Sequence, residues 1–448
     1  MPTAVTAPTK KKHSAAQAER LRRGREQRKI LSRGALGDLQ RDDRKFDPID
    51  LLLSSVHGRV AKLLPIKYGR MAASPFTFFR GAVSIMAADL ARHPNTGVTV
   101  QLCGDAHVQN LGSFEAPDGR LVFDINDFDE TIPGPWEWDV KRMAASIVLA
   151  GFESGHRRSQ CASAAAAFVR KYIATVQALA EQPVLVAARH QIHRARKAQA
   201  ISAALQQAQR ANPTDLLAKY TTPNGHGRPR FKKVEHVLWP VNPQARQEIL
   251  LSLPLYRQSL PPERVHFFDF FRPCDVAFKV VGTGSVGLRD YVVLMDGNGA
   301  ADPLFLQLKQ EAASAYAPYL KTPPYPNQAQ RVLDGQRKLQ PLSDLLLGWT
   351  RIGEHDFLVR QLNDHKGTVE VNHLRGEGLD SLASVAGELL ARGHARSGDA
   401  LEIKGYIGSG DKIGKVIVSY ALEYASLTEA DFEKFKKAIR EGRIKTAT

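Results

Sequence analysis

Cysteine is scarce in this chain: Cys103, Cys161 and Cys274 are the only three in 448 residues. An odd, widely spaced set excludes a disulfide framework, points to a reducing compartment and offers no zinc-ligand spacing. Long apolar runs are lacking as well. The best, Met143 to Phe152, falls short of the ~18 residues that a membrane span requires, so no span is expected. No apolar stretch follows Lys10-Lys11-Lys12, so a secretory leader is not expected and the chain reads as cytoplasmic. No internal repeat is visible. Aromatic residues do not alternate with the arginines of the basic stretches, which removes the stacking platform that single-stranded nucleic acid needs.

Positive charge is plentiful, +16 overall, and it is local. Residues 1–37 hold ten Lys and Arg against two acids, and residues 189–233 hold ten against one. The remaining body is near neutral. Such segments suit a polyanion, either nucleic acid or anionic lipid. The plain alternative is a solubilising tail and a solvated helix.

Acids concentrate elsewhere. Cys103-Gly-Asp105-Ala-His107-Val-Gln-Asn110 is followed by Phe123-Asp124-Ile-Asn126-Asp127-Phe128-Asp129-Glu130, with apolar sequence on both sides. Val98 to Leu102 reads as a buried strand, and Pro117-Asp118-Gly119-Arg120 as a turn between two short extended runs. Four carboxylates from Asp124 to Glu130 repel one another unless they are paired or hold a divalent cation. The five-residue gap from Asp105 to Asn110, with a further acid beyond a hairpin, is the spacing that phosphoryl transfer uses. There, one Asp accepts a hydroxyl proton while an Asn and a second Asp hold metal.

This segment resembles the catalytic part of aminoglycoside and choline phosphotransferases, which runs Gly-Asp-x-His-x-x-Asn and then Asp-Phe. The resemblance continues into Gly134-Pro135-Trp136-Glu-Trp138-Asp139, where those enzymes anchor the loop to a helix. It implies Asp105 as the base, and Asn110 and Asp127 as metal ligands for Mg²⁺. The gap from Asn110 to Asp127 is a few residues longer than usual, which leaves Asp124 and Asp129 open as alternative ligands.

Asp275 to Val281 reads as a strand running into Gly282-Thr-Gly284-Ser-Val-Gly287. No helix and no Gly-Lys-Ser/Thr follows, against a dinucleotide fold and a P-loop. Instead Tyr291 to Met295 and Leu304 to Lys309 are further strands, separated by a Gly297-Asn-Gly299 turn. Strand, glycine loop, strand, turn and strand ending in Lys is the layout of a kinase nucleotide-binding lobe. Gly282, Gly284 and Gly287 would cover the phosphates of ATP or another nucleotide, and Lys309 would pair with them. No acid stands where a kinase helix supplies the lysine's partner; Glu311 is only two residues away. Arg70 and Arg80 flank an aromatic stretch and suit a substrate anion. The apolar run Leu51 to Leu64 reads as a helix with Asp47 as its cap, and Gly405 to Gly410 as a loop. His394 reads as a structural histidine near a helix end.

Later segments add to the pattern, among them Phe357-Leu-Val-Arg360-Gln-Leu-Asn-Asp364 and His394-Ala-Arg396-Ser-Gly398-Asp399. Together these motifs resemble the bacterial domain of unknown function 2252 family over most of residues 40–430. The family name implies no activity, so the functional expectation rests on the residues.

The expected fold is α/β (α+β), two-lobed and protein-kinase-like, with circularly permuted lobe order and a helical C-terminus. Residues 1–45 are expected to be a disordered or lone-helix basic arm, and 46–188 the catalytic-loop part of the large lobe. A basic insertion and linker (189–265) comes next, then the glycine-loop lobe (266–370) and helices completing the large lobe (371–448). The expected activity is ATP-dependent phosphoryl transfer to a hydroxyl. The alternatives are a metal-dependent hydrolase built from Asp105, His107, Asp124, Asp127 and Asp129, and an inactive kinase-like binding module.

Overall fold

The computed structural model describes residues 13–39, 44–189, 199–210, 213–223, 229–280, 282, 284–362, 367–371 and 374–447. Its largest core surrounds the helix Trp136–Glu153, which is buried on every side from Trp136 to Gly151. A helix that is mostly apolar all round belongs at the centre of a body. Arg158–Ala180, Gly378–Ser397 and Asp411–Arg440 pack around it. Small residues set the spacing between two of these: a Cβ on Gly387 would collide with the Phe168 carbonyl. Among the described residues, no helix is long and apolar enough to cross a membrane.

Two small antiparallel units sit against this bundle. Thr99–Leu102 pairs with Ile132–Pro135, and Leu111–Glu115 pairs with Leu121–Ile125. The hairpin turns at Gly119, whose φ of +76° suits a residue without a Cβ. Asp118 accepts the Arg120 N–H across the same turn.

A six-stranded antiparallel sheet forms the second half. Its spatial order is Gly348–Ile352, His355–Gln361, Gly299–Glu311, Asp290–Gly297, Arg272–Lys279 and Leu238–Pro240. The strand–glycine loop–strand–turn–strand layout expected from the sequence is present, and the helix Gln328–Leu339 follows the third of these strands in the chain. Side chains alternate along a strand. Leu304, Leu306 and Leu308 enter a core with Ile249, Leu253 and Tyr256, whereas Phe305 joins a separate cluster. Lys309 falls on the Phe305 side of the strand.

Several boundaries differ from the expectation. The helix opened by Pro48 is capped by Asp47, which accepts the N–H groups of Ile49 and Asp50, but it ends at Ser54. The 405–410 segment is partly helical, because Asp399 caps the helix Ala400–Ile407. Residues 238–259 are not linker: Leu238–Pro240 extends the sheet, and the helix Pro243–Ser259 supplies its back core. Pro254, within this helix, hides its amphipathic pattern in the sequence.

The basic N-terminal segment is corrected over residues 13–39; residues 1–12 lie outside the described residues. Ala15–Glu26 lies on Ala400–Ile407. Arg20 and Arg23 pair with Asp399 and Glu402, and Arg28 and Arg33 donate to the carbonyls of Tyr406 and Ile407. Leu21, Leu31, Leu36 and Leu39 are buried. These arginines therefore dock the segment on the body.

This contact decides the sign of a substitution. Alanine for glycine inside a free helix gains about 1 kcal/mol. A Cβ on Gly24 would collide with the Glu402 carbonyl. Gly24→Ala should therefore lose roughly 1–3 kcal/mol by overpacking. Urea unfolding reads the difference, and a raised midpoint would mean that the helix does not dock.

Candidate active site

The loop from Cys103 to Asn110 is held from below by one carboxylate. Asp139, in the first turn of the buried helix, accepts the N–H of Cys103 at 2.7 Å and of Gly104 at 3.0 Å. Gly104 has a φ of +85°, and a Cβ there would strike the Glu130 backbone. His394 is buried behind Asp139, with one ring nitrogen 3.3 Å from Asp139 and the other 2.8 Å from the Tyr172 hydroxyl. Its position is structural, beneath the loop.

Asp105 is paired inside the protein. The buried Arg142 donates Nε (2.7 Å) and Nη2 (2.5 Å) to Asp105 Oδ1. Oδ2 lies 3.6 Å from His107 Nε2. Burial raises the Asp105 pKa, and Arg142 opposes that rise. His107 Nδ1 accepts the Asn110 N–H at 3.1 Å, which assigns the proton of the neutral ring to Nε2. Burial keeps that imidazole uncharged, and Arg80 and Arg142 add to the effect. The Asn110 amide donates to the Asp105 carbonyl at 2.8 Å.

Lys309 reaches this hairpin from the sheet. Its ammonium lies 2.5 Å from Asp129 Oδ1 and 3.6 Å from Asp127 Oδ1. Asp127 also accepts the Asp129 N–H. Two carboxylates thus share one ammonium. Burial resists ionisation of both; the first ionises readily against Lys309, and the second is raised because it must ionise in a buried site beside the first. For Lys309 burial works against the charge, but the two carboxylates outweigh it and raise its pKa. The Asp127 side chain remains 38% exposed.

A cavity of about 430 Å³ opens between the hairpin and the glycine loop, lined by Asp105, His107, Asn110, Asp127 and Asp129 on one side and by Gly282 and Gly284 on another. Glu311 also lines it; burial raises its pKa, and Oε1 has no hydrogen-bond partner among the described residues. The glycine loop is fastened to residues 59–70. Arg59 donates to the carbonyls of Gly284 (2.8 Å) and Val286 (2.7 Å), Lys67 to that of Gly284 (3.0 Å), and Arg70 to that of Gly282. Gly287 stands behind the loop, where its carbonyl accepts the Val60 N–H at 2.7 Å.

Asp124 is not with the other acids. It borders a small separate pocket with Val122, Phe114 and Arg392, and its charge faces Arg392 and Arg396. It is therefore removed from the candidate metal ligands and from the hydrolase set. Among the described residues, no three acidic, histidine or cysteine side chains converge as a ready metal cage. Arg142, Arg59 and Lys67 belong to the site but escape a reading of the sequence. An arginine directly before the apolar run Met143 to Phe152 is a usable signal for the first; nothing local marks the other two.

A family described as "Uncharacterized protein conserved in bacteria (DUF2252)" matches residues 59–438. No curated protein and no solved structure matches.

Two outcomes follow from the buried charges. Arg142→Met leaves Asp105 without its partner and should cost about 3–5 kcal/mol, while adding Asp105→Asn should recover much of that loss. Urea unfolding of the four species checks it; additive losses would mean the two groups are independent. Asp290 provides a pH test. It is 2% exposed, and burial pushes its pKa up to about 6, against the pull of Lys279. The unfolded carboxyl ionises first, so stability falls as pH rises from about 4 to about 6 and stays low above that. Asp290→Asn should flatten this slope, gaining about 3 kcal/mol at pH 7 relative to pH 4 at most.

Proposed function

We propose that this chain, which belongs to the DUF2252 family of proteins conserved in bacteria, is a kinase-like phosphotransferase that moves the γ-phosphoryl group of ATP or another nucleotide to a hydroxyl. One observation carries the reading: Lys309 pairs with Asp129 from a distant part of the chain, and Asp129 lines one cavity together with Asp105 and the glycine loop. The strand order adds support. The glycine loop joins the first two strands of the kinase-like series, Lys309 lies on the third, and a helix precedes the fourth and fifth, which return beside the third.

In this reading the acceptor hydroxyl lies at Asp105. Its oxygen forms the new bond to phosphorus as the bond to the leaving nucleotide oxygen breaks, and its proton passes to Asp105 Oδ2. Arg142 fixes Oδ1 and so aims the other oxygen, while the raised pKa makes the carboxylate a better proton acceptor. Asn110 holds the loop by its bond to the Asp105 carbonyl. Lys309 neutralises phosphate charge, and Gly282 and Gly284 let the backbone come close.

The donor set fits Mg²⁺. Asp127 is partly exposed, and Asn110 and Asp129 line the same cavity. Mg²⁺ keeps waters and takes one or two carboxylates with substrate phosphates, so a complete protein cage is not required. When bound, it would neutralise charge on the phosphates.

The hydrolase alternative loses Asp124 from its ligand set. The inactive-module alternative draws on Lys309, whose partners are the loop acids themselves rather than a helix carboxylate. A contact with a polyanion through residues 189–233 is compatible with either. For residues 1–37 it competes with the ion pairs that occupy Arg20 and Arg23.

Thermal unfolding with millimolar Mg²⁺ and ATP tests the reading, because a ligand that binds only the folded state raises its midpoint. The wild type should shift upward. Lys309→Ala should weaken that response, whereas Asp105→Ala should keep it and abolish slow release of γ-phosphate. No response in the wild type would sink the proposal.

A further inference from the structure

The wall of the cavity beside Asp105 carries a cation that forms no ion pair among the described residues. Arg80 lines the cavity with Asp105 and His107. Its Nε is buried with no hydrogen-bond partner, and its guanidinium lies 5.9 Å from the centre of the Phe76 ring. No ion pair within 4.0 Å joins it to a described residue. Of the acids whose charge reaches Arg80, Asp105 is held by Arg142, Asp127 by Lys309, and Glu153 accepts the Ser74 hydroxyl; Glu130, also on the cavity wall, accepts the Ala315 N–H. Arg59 and Lys67, on the same wall, donate to loop carbonyls. Burial lowers the pKa of all three cations, the direction expected of positive groups held together away from water.

We infer that Arg80, backed by Arg59 and Lys67, is a binding site for a compact oxyanion, phosphate or carboxylate, carried by the acceptor. Calling that molecule the acceptor rests on the phosphotransferase reading; the anion site itself does not. Proximity to Asp105 decides the assignment. The hydroxyl that loses its proton must lie at Asp105, and among the acids that act on Arg80 the Asp105 carboxylate acts most strongly, ahead of Asp127. In the phosphotransferase reading the donor phosphates belong with Lys309. An arginine also offers a planar fork of donors that matches either oxyanion in two-point contact, which a lysine does not.

The test uses the full chain, titrated by calorimetry with inorganic phosphate and, separately, with acetate. Either anion should bind saturably, and the stronger of the two identifies the acceptor's group. Arg80→Gln should weaken that binding at least about tenfold, the effect of losing one charge-assisted contact. Arg80→Lys, which keeps the charge but loses the fork, should fall between, and Lys309→Met should retain it. Thermal unfolding of each variant establishes that it is folded. No saturable binding by the wild type overturns the site, whatever the nucleotide result. Binding that survives Arg80→Gln also overturns it, and equal losses in Lys309→Met and Arg80→Gln place the anion among the donor phosphates instead. Binding of phosphate through Arg80 with no binding of Mg²⁺–ATP would leave the anion site standing and remove the phosphotransferase reading.

Discussion

The contact between Lys309 and the Asp127–Asp129 pair is the constraint on which the arrangement of the two halves depends. A buried ammonium is costly alone, by several kcal/mol after relaxation, and two half-buried carboxylates side by side repel each other. Together they are tolerable only if the sheet lies where its third strand delivers the lysine to the hairpin loop. Neighbouring bonds stitch the same seam. Arg331 donates to the backbone carbonyls of Asp129, Thr131 and Ala312, and Glu130 accepts the Ala315 N–H. The strand and loop that meet at the lysine are thus held along their length by charged groups bonded to backbone.

Each carboxylate near the cavity meets burial differently. Asp139 is spent on backbone N–H groups and shapes the loop above it. Asp105 gives one oxygen to Arg142 and keeps the other toward His107. Asp127 and Asp129 divide one ammonium. Glu311 has an oxygen without a partner, and burial favours its neutral form. Asp105, Asp127, Asp129 and Glu311, in one small region, therefore differ in how readily they ionise because their surroundings differ.

Local features are the most legible in the sequence. The Asp47 cap, the turn at Gly119 and the strands around the glycine loop are specified by residues within a few positions of one another. The link from Asp139 to the loop is legible as a resemblance, and the structure supplies its form as two N–H bonds. Asp124 misleads because it lies within a few residues of Asp127 but in a strand whose pairing turns it toward Arg392. The N-terminal helix misleads because its charge looks solvated, while the partners of Arg20 and Arg23, Asp399 and Glu402, each lie 379 positions away. Long-range charge pairing leaves no periodicity to read.

The distance along the chain between the acid pair and its lysine has a consequence for synthesis. Asp127 leaves the ribosome 182 residues before Lys309. At ~5–20 residues per second, that interval lasts roughly 10–40 s. Throughout it the hairpin carries two carboxylates with no ammonium to meet, and the helices Gly378–Ser397 and Asp411–Arg440 that wrap the central helix have not yet been made. The first half of the chain therefore cannot settle as it emerges, and its apolar central helix stays open to other contacts until the last segments arrive.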